Sequence, residues 1–202
     1  MPAAVTPRQP VVFYAGDGPS ALTYPAGSLL VIGGPVGVGK STLAGRLAAG
    51  CDAELISLDE HRRDEQQARG LPRDAYAPDC WAGAIERFER ALDVALTAGR
   101  SVICDVTCVH DGRVVYVMAA AQHQRPAHVI YLDGALALCR DGQRGRCAPV
   151  DDAKVADYVE RWQELRRLLR DHPRRFLAEG WASAVVLDRQ AADRLQAVVF
   201  VA

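Results

Sequence analysis

The run LLVIGGPVGVGKSTLAGRLAAG, residues 29–50, decides the architecture of this chain. Its first four residues, Leu29–Ile32, form a short apolar stretch that reads as a buried strand, and Ser41–Ala49 has the apolar spacing of a helix. Between them Gly34, Gly39, Lys40 and Ser41 satisfy the spacing GxxxxGK[ST], with the strand before and the helix after that this P-loop pattern requires. The glycines let backbone N–H groups turn inward, and the helix that follows aims its positive end at whatever lies in the loop. That geometry suits the phosphates of a nucleotide. Gly34, Gly37, Val38, Gly39, Lys40, Ser41 and Thr42 are the expected nucleotide-binding residues. Lys40 reaches the β and γ phosphates, and the Ser41 hydroxyl suits a Mg²⁺ position, so ATP and Mg²⁺ are the expected cofactors.

Composition sharpens the weight on Lys40. The chain has 202 residues, 24 Lys+Arg against 25 Asp+Glu and a formal net charge of −1. Only two of the 24 basic residues are lysines, Lys40 and Lys154. A lysine that survives such a skew points to a position that needs an ammonium rather than a guanidinium. The near-neutral balance excludes a strongly basic nucleic-acid domain. No apolar run approaches the roughly 18 residues of a membrane span, and MPAAVTPRQP has no apolar core of a signal peptide. The six cysteines (51, 80, 104, 108, 139 and 147) form no CxxC pair, which reads as scattered reduced thiols in a cytoplasmic protein.

Outward from the loop, strand-like and helical stretches alternate. Leu55–Leu58, Ser101–Cys104, Val129–Leu132 and Val185–Leu187 read as strands. Glu60–Arg69, Trp81–Ala98, Gly112–Gln124, Asp151–Arg170 and a closing Ala191–Val199 read as helices. This alternation predicts an α/β fold of P-loop NTPase type, a mostly parallel sheet with helices on both faces and an arginine-bearing lid. Residues 1–28 read as an N-terminal arm or edge hairpin of the same domain, and 29–202 as one domain with its lid near 139–150. Ligands in such sheets bind beyond the carboxyl ends of the strands, which directs attention to four short segments.

After the second strand runs SLDEHRRD, with Asp59 at the strand end and Arg62 one helical turn on. Here a carboxylate can take the proton of an attacking hydroxyl, and an arginine beside it can grip an anionic group. Equally, Ser57 and Glu60 fit a capping box, leaving Arg62 solvated. His61 and Arg63 are weaker candidates for the same roles. After the third strand, VICDVTCVHDGR places Asp105 at the end of an apolar run, with Thr107 two residues on and Arg113 opening the next helix. A carboxylate closing a buried strand is costly unless it pairs or faces a cleft; a turn cap is the alternative, and Arg113 either reaches back or lies on the surface. After the fourth, CRDGQRGRCAPVDD holds Arg140, Arg144 and Arg146, either a lid closing on the transferring phosphoryl group or one solvated face. The tryptophans Trp81, Trp162 and Trp181 read as packing residues, with stacking on a base as the alternative.

The loop alone does not name a reaction. The sequence lacks an LSGGQ-like segment, an NKxD base-reading motif and a second acid after Asp105, which favours a small kinase over a transporter ATPase or GTPase. Taken in order, GPVGVGKST, SLDEHR, CDVT…R and RDGQRGRCAPVD resemble the P-loop phosphotransferases of the polynucleotide kinase family, within a wider set that includes zeta-toxin-like kinases. The resemblance spans about residues 28–170. It implies Asp59 as general base for an acceptor hydroxyl, and Arg62 as clamp for a neighbouring phosphate of the acceptor. It puts Asp105, Thr107 and Arg113 at the acceptor pocket and Arg140 and Arg144 in the lid, Arg140 contacting donor phosphates. Cys108 and Asp141 stand where that family has Asn. The expected activity is transfer of the γ-phosphoryl of ATP to a hydroxyl, with a 5′-OH polynucleotide end as acceptor. A small-molecule hydroxyl and a non-catalytic nucleotide-binding switch are the alternatives. Residues 51–80 carry eight acids against four arginines, a balance of −4 that does not attract a long polyanion.

Overall fold

The computed structural model describes residues 10–73, 77–144, 146 and 149–202. The first nine residues of the expected arm, and Gly145, Cys147 and Ala148 of the expected lid, lie outside these. Eight strands are formed: β1 (Val11–Tyr14), β2 (Ala21–Pro25), β3 (Leu29–Gly33), β4 (Ala53–Ser57), β5 (Ser101–Asp105), β6 (Ala127–Leu132), β7 (Ser183–Leu187) and β8 (Ala197–Val201). Between them run α1 (Lys40–Ala49), α2 (Leu58–Ala68), α3 (Trp81–Thr97), α4 (Val114–Gln122), α5 (Leu136–Arg144), α6 (Asp152–Asp171), α7 (Pro173–Leu177) and α8 (Arg189–Arg194). Six strands make one wholly parallel sheet in the order β1-β7-β6-β3-β5-β4. The strand that enters the P-loop therefore lies between two others, which bury its edges.

The period-two alternation of the strands assigns each residue to one of two apolar layers. Leu29 and Val31 of β3, Val129 and Tyr131 of β6, and Ala184 and Val186 of β7 face a layer completed by Phe88, Leu92, Val117, Phe176 and Trp181. Their neighbours Leu30, Ile32, Ile130, Leu132, Val185 and Leu187 face the other layer, completed by Leu43 and Leu47 of α1 with Leu22 and Val198. Every residue of β3, β5, β6 and β7 is buried, which explains why these strands read as unbroken apolar runs. No helix among the described residues is long and apolar enough to cross a membrane. The five described cysteines are free.

Two terminal expectations are corrected. β1 and β2 do not form a hairpin: β1 is the edge strand beside β7, whereas β2 pairs in parallel with β8 in a separate two-stranded sheet. The Gly16–Gly18 turn carries the chain across α8 rather than reversing it. The Gly16 N–H donates to Asp188 Oδ2 (2.9 Å), and Gly18 lies so close to α8 that a Cβ would sit 2.7 Å from the Cβ of Ala191. The closing element is likewise not one helix. α8 stops at Arg194, Leu195 turns extended (φ −70°, ψ 103°), and the β-branched run AVVFV becomes β8. Valine-rich stretches prefer a strand when a ladder partner is at hand, and β2 supplies one.

Candidate active site

The loop after β3 is built on positive φ values that suit glycine: 136° at Gly34, 82° at Gly37 and 104° at Gly39. Two of these also make close approaches. A Cβ on Gly34 would fall 2.7 Å from the Leu132 carbonyl oxygen, and one on Gly37 would fall 2.1 Å from that of Cys139. Gly39 is the N-terminal cap of α1, whose first turn carries no acidic residue. The positive end of that helix is left for an external anion. The Lys40 ammonium donates to the Pro35 carbonyl oxygen (2.8 Å) across the same loop. Burial lowers its pKa to about 8, opposed by the nearby carboxylates of Asp105 and Asp59.

Asp105 ends β5 in register with Ile32 of β3 and Ser57 of β4, at the carboxyl edge of the sheet. It is 8% exposed, and burial raises its pKa. The Ser41 hydroxyl hydrogen-bonds its carboxylate, Ser57 Oγ donates to Oδ2 at 3.5 Å, and Lys40 lies close enough to favour the ionised form. Beyond it, Gly34 N donates to the Thr107 carbonyl oxygen (2.9 Å), tying this loop to the P-loop. Cys108 takes a left-handed backbone (φ 53°), a conformation that asparagine tolerates better than cysteine.

A cleft joins these groups to α2 and α3. It is lined by Val36, Gly37, Gly39, Lys40, Ser41, Leu58, Asp59, Trp81, Asp105, Val106, Thr107 and Arg146. The structure thus brings Lys40, Ser41, Asp59, Asp105 and Thr107 together. The capping alternative is not taken: the α2 terminus has no side-chain cap bond, and Glu60 instead pairs with Arg63 and Arg73. Asp59 keeps a side chain 45% exposed, 3.8 Å from the Arg62 Nε. Arg62 is buried beneath it, donating to Gln66 Oε1 (2.6 Å), with its guanidinium 5.7 Å from the centre of the Trp81 ring.

Three expected arginines point elsewhere. Arg113 is buried in a two-bond pair with Glu179, donates to Asp111 (3.2 Å) and lies over Phe176, so it does not reach back to the cleft. Arg140 and Arg144 belong to helix α5 rather than to a loop. Arg140 places its fork on Asp152, with two bonds of 2.6 Å, and Arg144 pairs with Asp141 (2.9 Å). The arginine that lines the cleft is Arg146. Sequence reading placed it in the lid without assigning it, and spacing alone does not separate it from its two neighbours. Trp81, which the sequence reads as a packing residue with stacking on a base as the alternative, lines the cleft; its pairing with Arg62 is a tertiary contact across 19 residues without a local signature.

On the other side of the P-loop lies a cavity of about 540 Å³ beyond β6 and β7, lined in part by Asp133, Gly134, Leu138, Trp162, Arg166 and Asp188. Trp162 Nε1 donates to Asp133 Oδ1 (2.8 Å), and Arg166 pairs with Oδ2 (2.9 Å). Next to it Thr42 and Arg46 of α1 face Arg189 of α8.

The residues present fit a Mg²⁺-nucleotide. The fit rests on a glycine cradle that side chains would fill, a bare helix N-terminus, and a hydroxyl and carboxylate oxygen pair at Ser41 and Asp105, the hard donors such an ion takes. Among the described residues no cluster of three or more His, Cys, Asp or Glu could hold a metal.

Residues 29–165 match the AAA domain family (AAA_33). The fold is similar to that of the Deinococcus radiodurans tunicamycin resistance protein, at 19% identity over 67% of this chain and 80% of that one, with a TM-score of 0.50. It is also similar to a gluconokinase from Sinorhizobium meliloti, at 15% identity over 85% and 93% of the two chains (TM-score 0.51). A chain of the Pnkp1/Rnl/Hen1 RNA repair complex aligns at 14% identity over 71% of this chain but 46% of its own length (TM-score 0.54). A search of curated protein sequences gives no significant match.

Proposed function

Because the chain belongs to the AAA domain family, and has a P-loop fold shared with kinases, we propose that it transfers the γ-phosphoryl group of ATP, with Mg²⁺, to the hydroxyl of an acceptor. The observation that carries this reading is the single cleft in which the ammonium of Lys40 and the half-exposed carboxylate of Asp59 face a common space. A phosphate-binding end and a proton-accepting end are what phosphoryl transfer to a hydroxyl needs.

In this reading the loop N–H groups and Lys40 hold the donor phosphates, and the nucleoside end extends toward the cavity beyond β6 and β7, between α5 and α6. Ser41 and Asp105 hold Mg²⁺, which when bound neutralises charge on the phosphates. Asp59 accepts the acceptor's proton. Arg62, paired to Asp59 and packed on Trp81, fixes the orientation of that carboxylate. Thr107 borders the acceptor, and Arg146 supplies positive charge above the transferring group. Arg140 and Arg144 enter only if α5 and the segment after it rearrange on nucleotide binding.

The test is Asp59→Asn against Lys40→Met, with ATP affinity and label transfer from γ-labelled ATP measured separately. Asp59→Asn is expected to lower transfer by about 10²–10⁴ with ATP affinity unchanged, and Lys40→Met to weaken both. Equal loss of ATP binding in Asp59→Asn would move that carboxylate to the donor side and overturn its assignment.

A further inference from the structure

The acceptor end of the cleft has a chemistry of its own. It is lined by Leu58, Asp59, Trp81, Val106 and Thr107. The charges that line the whole cleft balance: Lys40 and Arg146 against Asp59 and Asp105. Near α2 and α3 lie four arginines that share two carboxylates. Arg63 and Arg73 converge on Glu60, and Arg69 and Arg87 each lie 2.8 Å from Glu65. Hydrogen bonds from that pair hold the Glu65 carboxyl below the usual range. The Glu60 pairs are exposed and each contributes little, whereas the Glu65 side chain is only 12% exposed. The sequence around α2, residues 51–80, carries a balance of −4. A strand of nucleic acid binds chiefly by neutralising several phosphates, and four arginines already held by Glu60 and Glu65 offer it little free charge. The one arginine at the acceptor itself, Arg62, turns its guanidinium to Asp59, Gln66 and the Trp81 ring.

Resting on the kinase reading above, we infer that the acceptor is an uncharged, hydroxyl-bearing small molecule with a ring face, which lies against the Trp81 indole and presents its hydroxyl to Asp59. Two sources share that chemistry: a nucleoside, through its base, and a neutral sugar, through its C–H face. Arg62 behind the indole holds the ring in place, so Trp81 acts as a rigid platform for specificity.

The experiment incubates the full chain and its Trp81→Ala and Trp81→Phe variants with γ-labelled ATP and Mg²⁺. The acceptors are adenosine, uridine, glucose and N-acetylglucosamine, with 5′-OH DNA and RNA oligonucleotides in parallel. Label is expected on a neutral small acceptor, with a KM unchanged between low and moderate salt. Trp81→Ala should raise that KM about tenfold, the size of one lost stacking contact, with the KM for ATP unmoved, and Trp81→Phe should restore most of the loss. Nucleosides labelled in preference to sugars identify base stacking, and the reverse identifies a sugar face. Label on the oligonucleotides alone, with a KM that climbs steeply with salt, would overturn the acceptor class and leave the kinase reading standing. So would ATP turnover with none of the small acceptors labelled, or a small-acceptor KM indifferent to Trp81. Failure to bind ATP at all would instead remove the kinase reading beneath it.

Discussion

Lys40 carries the clearest consequence at the scale of a single residue. Its ammonium is enclosed by the loop it serves, and burial brings its pKa down to about 8. The sign follows directly. Below pH 8 the side chain is charged, as the donor role proposed for it requires; as pH rises through 8 the free protein loses that charge, while phosphates bound there would hold the proton on. ATP affinity should therefore be level up to about pH 7.5 and fall by up to about tenfold per pH unit above 8. Isothermal titration between pH 7 and 9.5 would show it. Lys40→Arg, whose charge persists through this range, should bind more weakly and give a flat profile. A flat profile in the natural protein would mean that another group sets the charge of the loop. The linked stability effect has the same origin. Because the folded pKa lies below the unfolded value of 10.5, the unfolded chain holds more protons between pH 8 and 10.5, and the folded state gains stability across that interval.

Among the elements, α5 bears most directly on the site. Its Gly142 lies on the outer side of the P-loop, where a Cβ would fall 2.0 Å from the Gly37 carbonyl oxygen, and the α5 residue Cys139 abuts Gly37 from the same side. Helix α5 is thus packed directly on the P-loop. Alanine is favoured over glycine within a helix by about 1 kcal/mol, so on propensity alone Gly142→Ala should be harmless. Packed as it is, the added methyl must push α5 or the loop aside, at the roughly 1–3 kcal/mol of an overfilled contact. We expect ATP affinity to fall about tenfold with the circular dichroism spectrum unchanged; unaltered affinity would mean that α5 yields without touching the loop. This contact also marks where legibility ended. The P-loop, the strand alternation and Asp59 with Asp105 at strand ends could be read from the sequence, because each is written in adjacent residues as periodicity or fixed spacing. Three arginines within seven residues, Arg140, Arg144 and Arg146, look alike on such grounds. Only the helical turn of α5, which carries the first two onto Asp152 and Asp141, separates them from the third. The pairing of Trp81 with Arg62 is illegible for the same reason, since the two belong to different helices.

At the scale of the whole molecule, the chain closes on itself through the small sheet that sequence patterns misread at both ends. β2 and β8 pair in full register from Ala21↔Ala197 to Pro25↔Val201, joining residues from opposite ends of the chain. The pair covers the α1 face of the main sheet: Leu22 and Tyr24 are 0% and 1% exposed, and Val198 is 1% exposed. Deleting residues 197–202 would remove Val198 from that layer and uncover Leu22 and Tyr24. At about 1.5–3 kcal/mol for each fully buried apolar side chain, the partial exposure of two and the loss of a third cost about 3–6 kcal/mol. That is a large share of the roughly 5–15 kcal/mol that holds a domain folded. In a chain of this size 1 kcal/mol moves Tm by about 2–4 °C, so the truncated protein should melt about 6–24 °C below the full chain. Because α1 carries the P-loop lysine at its first position and packs Leu43 and Leu47 into the same layer, the truncated protein should still bind ATP well below its Tm but lose it as that layer melts. Differential scanning calorimetry with and without ATP would measure both effects. An unchanged Tm would make the ribbon an appendage, whereas a lowered Tm that ATP partly restores would show that the strand pair and the nucleotide stabilise the same cooperative unit.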